Sequence, residues 1–150
     1  MRRESNIAIG QNAGKDDLIR SGNQHSALDR KTILVVEDIS SNYLLISAML
    51  SKHYNLLHAV NGEQAVAMVK EYKIDLLLMD MKMPVMDGLT ATAEIRKFDT
   101  NIPIVALTAH AFESDKVAAL KSGCNDYLVK PVDKARLMSV LRKYCHPSTL

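Results

Sequence analysis

Glu37 and Asp38 follow Val36, Asp80 follows Met79, Thr108 follows Leu107 and Lys130 follows Val129, so each functional group stands directly behind a short apolar run. Any fold that lays those runs side by side as parallel strands collects three carboxylates, a hydroxyl and an ammonium at one edge. Carboxylates and lysines are common at strand ends, so each residue alone says little. Together they pose an electrostatic problem. Two carboxylates about 4 Å apart repel by about 4 kcal/mol at an effective dielectric near 20, and one lysine does not neutralise three acids. A hard divalent ion does, and Mg²⁺ takes octahedral oxygen ligands while keeping several waters. Asp38 and Asp80 are expected as its direct ligands, with Glu37 acting mainly through water and the backbone carbonyl of Lys82 supplying a further oxygen. A cation, a lysine and a threonine hydroxyl around a central carboxylate suit the charge of a transferring phosphoryl group. Asp80 is then the nucleophile, forming an acyl phosphate.

The elements that must position these groups are legible in the hydropathy pattern. Ile33 to Val36, Tyr54 to Ala59, Leu76 to Met79, Ile104 to Leu107 and Tyr127 to Val129 are too short for helices and read as strands. All but the second are apolar without alternation, as strands covered on both faces are. Helices are expected between them. Ala65, Val69 and Tyr72 share a helical face, as do Ala91, Ile95 and Phe98, and Leu137, Val140, Leu141 and Tyr144. Asn61 and Asp133 stand where N-caps belong, and Gly123 where a helix stops. Alternating β and α elements with short connections imply a doubly wound, three-layer α/β/α domain with a five-stranded parallel sheet in the flavodoxin-like order 2-1-3-4-5. Its functional crevice is expected beyond the carboxyl ends of strands 1 and 3, where the winding reverses.

Four segments carry a family resemblance: Ile33-Leu-Val-Val-Glu-Asp38, Leu77-Leu-Met-Asp-Met-Lys-Met-Pro-Val-Met-Asp-Gly88, Ile104-Val-Ala-Leu-Thr-Ala109 and Tyr127-Leu-Val-Lys-Pro131. In order and spacing they resemble the signature segments of response-regulator receiver domains, over about residues 32 to 144. The resemblance implies that Asp80 is the phosphoacceptor, Glu37 and Asp38 the acidic Mg²⁺ pair and Lys130 the partner of the phosphoryl oxygens. It makes Thr108 the switch hydroxyl, Tyr127 the coupled aromatic and Pro131 a cis-proline. The implied partner is a histidine kinase or a histidine phosphotransfer domain. The Lys82 side chain and His110 occupy flanking positions that vary in the family, where they are expected to set the lifetime of the phosphoaspartate. The domain is expected to catalyse only its own phosphorylation and dephosphorylation, although its parent protein could be a sensor histidine kinase.

Composition bounds the rest. With 150 residues, 47% of them hydrophobic, one core is expected and two ordinary domains are not. Residues 1–30 read as a Gly/Ser/Asn-rich tail or linker, 31–146 as the receiver domain and 147–150 as a short tail. The net charge of +2 is interleaved, which argues against nucleic acid. No apolar run approaches a membrane span, so a cytoplasmic segment is expected, even under a membrane-anchored parent. Cys124 and Cys145 lack ligand spacing and are expected as reduced thiols; His25, His53, His58 and His146 are expected as surface or packing residues. Met79, Met81, Met83 and Met86 are expected to pack, with alternate positions pointing opposite ways. Asp87-Gly88 reads as a turn whose glycine relaxes the loop into the third helix. Phe112, Val117 and Leu120, with Ala118 and Ala119, give the fourth helix spare apolar surface, so self-association through helix 4, strand 5 and helix 5 is expected there.

Three other functions fit less well. A haloacid dehalogenase-type phosphatase needs an acid two residues after the nucleophile, where this chain has Lys82. A flavodoxin-like cofactor binder needs a phosphate-cradling loop after strand 1, where Glu37 and Asp38 repel phosphate. A receiver-like module that is never phosphorylated would have no use for the full acid set. The chain stops just past its last helix, so a stand-alone regulator or the C-terminal receiver of a hybrid sensor histidine kinase is expected. The tail and the Met81 to Gly88 loop favour the hybrid kinase.

Overall fold

A computed structural model describes residues 29–146, so almost all of the expected N-terminal tail and the residues after His146 lie outside the described region. The chain alternates β1 (Thr32–Val36), α1 (Ser40–Leu50), β2 (Asn55–Ala59), α2 (Gly62–Glu71), β3 (Leu76–Asp80), α3 (Gly88–Arg96), β4 (Ile104–Thr108), α4 (Glu113–Ser122), β5 (Asp126–Val129) and α5 (Lys134–Cys145). The strands form one parallel sheet in the order β2-β1-β3-β4-β5, as the sequence predicts.

Side chains alternate across each strand, and the two sets enter separate cores. Ile33, Val35, Leu76, Leu78, Val105 and Leu107 pack beneath α1 and α5, against Ile46, Leu50, Leu137 and Leu141. Leu34, Val36, Leu77, Met79, Ile104 and Ala106 pack beneath α2, α3 and α4, against Ala65, Ala91, Ile95 and Ala119. Burial on both faces is why the strands read as unbroken apolar runs. Met81, Met83 and Met86 join Met79 on the second side. The expectation that these methionines diverge was wrong, although packing is their role.

Local signals set the helix ends. Asn61, Asp87 and Asp133 cap α2, α3 and α5 by accepting the N–H groups of Gln64, Thr90 and Arg136. Gly123 ends α4 at φ 118°, a left-handed conformation that suits glycine. Phe98 departs from expectation: it lies beyond the end of α3, is 44% exposed and lies under the Lys70 ammonium.

Asp87 is therefore a cap, and Gly88 does more than relax a loop. A Cβ at Gly88 would lie 2.3 Å from the Asp80 carbonyl oxygen and 2.8 Å from Met81 Cα. The start of α3 can approach the end of β3 only without a side chain there. Gly88→Ala should lower unfolding free energy by about 2–3 kcal/mol, from forced backbone displacement. A urea melt in which the variant matches the wild type would refute this close-approach account.

Candidate functional site

The alternation that builds the two cores also aims the site residues. Asp80 ends β3 in register with Leu107, and Thr108 ends β4 in register with Val129. Both belong to their strands rather than to the loops after them. Asp80 shares the parity of Leu76 and Leu78, which face α1 and α5, and Lys130 shares that of Leu128. Thr108 shares the parity of Ile104 and Ala106, which face α4.

Lys130 bridges the acids. Its ammonium nitrogen lies 3.1 Å from Asp80 Oδ1 and 3.2 Å from Glu37 Oε1. The Lys130–Pro131 bond is cis, as the family resemblance implies, and the Lys130 N–H donates to the Thr108 carbonyl at 2.8 Å. Asp80 Oδ1 also accepts the Lys82 N–H at 3.2 Å. Glu37 is wholly buried, with Oε2 accepting from the Ile39 N–H at 3.3 Å and from Asn42 Nδ2 at 3.4 Å.

One lysine leaves this cluster under-compensated. Glu37 Oε1 has the lysine ion pair and no hydrogen bond besides, and the buried Asp38 Oδ1 has no hydrogen-bond partner. Burial and the neighbouring Glu37 charge push the Asp80 carboxyl up to about 6, despite Lys130. Lys130 is held above its ordinary value, its desolvation outweighed by the carboxylates of Asp80 and Glu37. One oxygen each of Glu37, Asp38 and Asp80 lies within 4.8 Å of the others, a spacing that a small cation can bridge. An orphaned buried carboxylate oxygen, hard oxygen donors and excess negative charge fit Mg²⁺.

Thr108 and Tyr127 stand apart from this cluster. The Thr108 hydroxyl donates to the His110 carbonyl at 2.9 Å, and with Met81, Met83, Leu89 and His110 it lines a cavity between the β3–α3 and β4–α4 loops. Tyr127 is half-buried on β5, with the Lys116 ammonium 5.0 Å from its ring centroid. Cys124 and Cys145 are buried free thiols.

The α1 face was not foreseen. Ile39, Leu44 and Leu45 are 50%, 62% and 60% exposed beside the acids, and Leu45, Ile46 and Met49 line a groove with Lys130, Pro131 and Val132. The run Tyr43-Leu-Leu-Ile46 was the available signal, because four consecutive apolar residues cannot all face one core. His58 was also missed: its Nε2 lies 2.8 Å from the Glu37 carbonyl oxygen.

The sheet order and the acid-lined cleft at its carboxyl edge define a flavodoxin-like α/β domain with a metal-suited carboxylate site. The model of the response regulator receiver domain matches residues 33–142, and the chain belongs to that family, a component of two-component phosphorelays. It is 41% identical over 119 residues to hybrid signal transduction histidine kinase M of Dictyostelium discoideum, covering 74% of this chain and 5% of that protein. The chain thus spans a small fraction of that curated relative. Among solved structures, the receiver domain of a sensor histidine kinase from Pseudomonas aeruginosa PAO1 is 40% identical, with a TM-score of 0.72. That match covers 77% of this chain and 97% of the other, which carries a magnesium ion coordinated in its active-site cleft. The receiver domain of a Saccharomyces cerevisiae response regulator, co-crystallised with its histidine phosphotransfer protein, is 36% identical with a TM-score of 0.73. That match covers 77% of this chain and 88% of the other.

Proposed function

We propose that residues 31–146 form a Mg²⁺-dependent phosphoacceptor domain that takes a phosphoryl group from a phosphohistidine onto Asp80. The observation that carries this reading is the under-compensated triad of Glu37, Asp38 and Asp80 bridged by one lysine. Asp38 and Asp80 would hold the ion directly, with Glu37 acting through water and the Lys82 carbonyl as a further ligand. When bound, the ion supplies positive charge against the acids and the phosphoryl oxygens.

Lys130 and the Lys82 N–H both engage Asp80 Oδ1, which leaves Oδ2 as the attacking oxygen. As the bond from this oxygen to phosphorus forms, the bond from phosphorus to the donor imidazole nitrogen breaks, and that nitrogen keeps the electron pair. Lys130 already stands where the equatorial oxygens gather charge. The acyl phosphate adds acceptor oxygens at the strand ends, toward which the Thr108 hydroxyl would turn from the His110 carbonyl. Tyr127 would follow into the space vacated. Incubation with acetyl phosphate and Mg²⁺, read by intact mass, tests the reading: one phosphoryl group should be added, and chelation should prevent it. An unmodified mass with Mg²⁺ present would refute it.

For the phosphodonor, we assign the exposed Ile39, just before α1, with Leu44 and Leu45 on α1 and the adjoining groove, to docking an apolar helical face around the phosphohistidine. The co-crystallised yeast relative supports a histidine phosphotransfer domain or histidine kinase as that partner. Phe112, just before α4, and Val117 and Leu120 on α4 are 60%, 41% and 48% exposed, and we place output or self-association on that helix with β5 and α5. Similarity to hybrid kinases supports a hybrid sensor histidine kinase as parent, with a stand-alone regulator as the second reading. Among the described residues no helix is long and apolar enough to cross a membrane. We place the domain in the cytoplasm, where a kinase has its ATP.

Lys82 and His110 flank the acceptor, His110 on the cavity wall and stacked on Phe112 with ring centroids 4.9 Å apart. Each should limit water's approach to the acyl phosphate. Lys82→Ala and His110→Ala are expected to change the autodephosphorylation rate by roughly 3- to 10-fold, the range of about 0.6–1.4 kcal/mol in barrier. Phosphate release from purified phosphoprotein measures this, and unchanged rates in both variants would end the idea.

A further inference from the structure

We propose that His58, steadied by Tyr43, is a positioning residue for the acidic pair: it fixes the peptide joining Glu37 to Asp38 and so sets the cleft's affinity for a divalent cation. This rests on the cation reading above.

Three contacts carry it. First, β2 grips Glu37 at both ends of its backbone. The Glu37 N–H donates to the Ala59 carbonyl at 3.0 Å, and the Glu37 carbonyl meets His58 Nε2 at 2.8 Å. A carbonyl oxygen only accepts, so Nε2 carries a proton and donates. Second, the imidazole is stacked on Tyr43 of α1, with centroids 3.8 Å apart and planes 4° from parallel. Third, the peptide so gripped carries the next residue, Asp38, whose buried Oδ1 has no hydrogen-bond partner to orient it. The grip on this peptide therefore controls where the Asp38 side chain starts from, while no hydrogen bond on Oδ1 orients it further. His58 holds the backbone from β2 and Tyr43 holds His58 from α1, the two elements flanking the β1–α1 acid turn. Outer partners of this kind, which fix a ligand without touching the metal, typically alter affinity 10- to 100-fold.

The full chain should be titrated with Mg²⁺ by calorimetry. His58→Ala should raise the dissociation constant about tenfold, whereas His58→Gln, whose amide N–H reaches the same carbonyl, should stay within about twofold of wild type. Tyr43→Phe should leave affinity unchanged and Tyr43→Ala should weaken it. Wild-type affinity in His58→Ala, or equal weakening in both His58 variants, would overturn the positioning role while leaving the cation site standing. Failure of the wild type to bind Mg²⁺ would overturn both. Nitrogen NMR of the wild-type ring needs no variant: the inference requires a protonated Nε2 and a His58 signal that moves on Mg²⁺ addition while His53 stays still. A neutral ring protonated only on Nδ1 would refute it.

Discussion

Asp80→Asn protein, incubated with acetyl phosphate and Mg²⁺, should keep its unmodified mass under conditions in which the wild type gains one phosphoryl group. The substitution is close to isosteric, and the Lys82 N–H can still bond the amide oxygen, so the fold has no reason to change. What is lost is the anionic oxygen that attacks phosphorus. Neither remaining acid is placed to replace it. Glu37 is wholly buried, with Oε1 on Lys130 and Oε2 on the Ile39 and Asn42 donors. Asp38 has an unpartnered oxygen, but Lys130, the cation for developing phosphoryl charge, reaches Asp80 and Glu37. Loss of a nucleophile from a site that otherwise remains intact costs roughly a thousandfold or more in rate. Phosphorylation of the Asp80→Asn variant at a comparable rate, mapped to Asp38, would show that the nucleophile had been misassigned.

Much of this site was legible because the physics behind it is one-dimensional. A strand buried on both faces must be apolar throughout, so the first polar residue after each run, Glu37, Asp80, Thr108 or Lys130, marks a carboxyl end. Parallel order then gathers those ends whatever their separation in sequence. Face and state were less accessible. Strand parity puts Asp80 toward α1 and α5 and Thr108 toward α4, so two residues that share an edge begin on different sides of the sheet. The hydroxyl's attachment to the His110 carbonyl depends on loop geometry that residue types do not encode. Val85 is similar: it turns at φ 71°, rare for a β-branched side chain, within a loop closed by the Met86 N–H on the Pro84 carbonyl. His58 was passed over because histidine spacing speaks to metal ligation, while its contact is with backbone across the β1–β2 pair. Gly88 was read as loop freedom because the approach of β3 to α3 exists only in three dimensions.

The same crowding of acids that makes Asp80 useful should be measurable as instability when no cation is present. Burial and Glu37 raise the folded-state Asp80 carboxyl from its ordinary value of 3.8 to about 6. A raised carboxyl means that the folded state prefers the protonated form. That contribution is fully present below the unfolded value near 4 and is lost as pH rises through 6. That rise in the carboxyl value corresponds to no more than about 3 kcal/mol, reduced by the solvent that reaches the open cleft. With EDTA present, this group should therefore lower unfolding free energy by about 2–3 kcal/mol between pH 4 and pH 7. Asp80→Asn removes the titration, so the variant should be the more stable protein at pH 7 by a similar amount and should lose the advantage near pH 4. Mg²⁺ should close most of this gap, since it binds the folded wild type and adds about 2.7 kcal/mol at a hundredfold excess over its dissociation constant. The variant, with one ligand charge fewer, should gain less. Urea melts of both proteins at the two pH values, with EDTA and with Mg²⁺, decide the matter. If wild type and variant stay equally stable at pH 7 in EDTA, the acids do not crowd one another in the folded state, and the electrostatic need for a cation disappears.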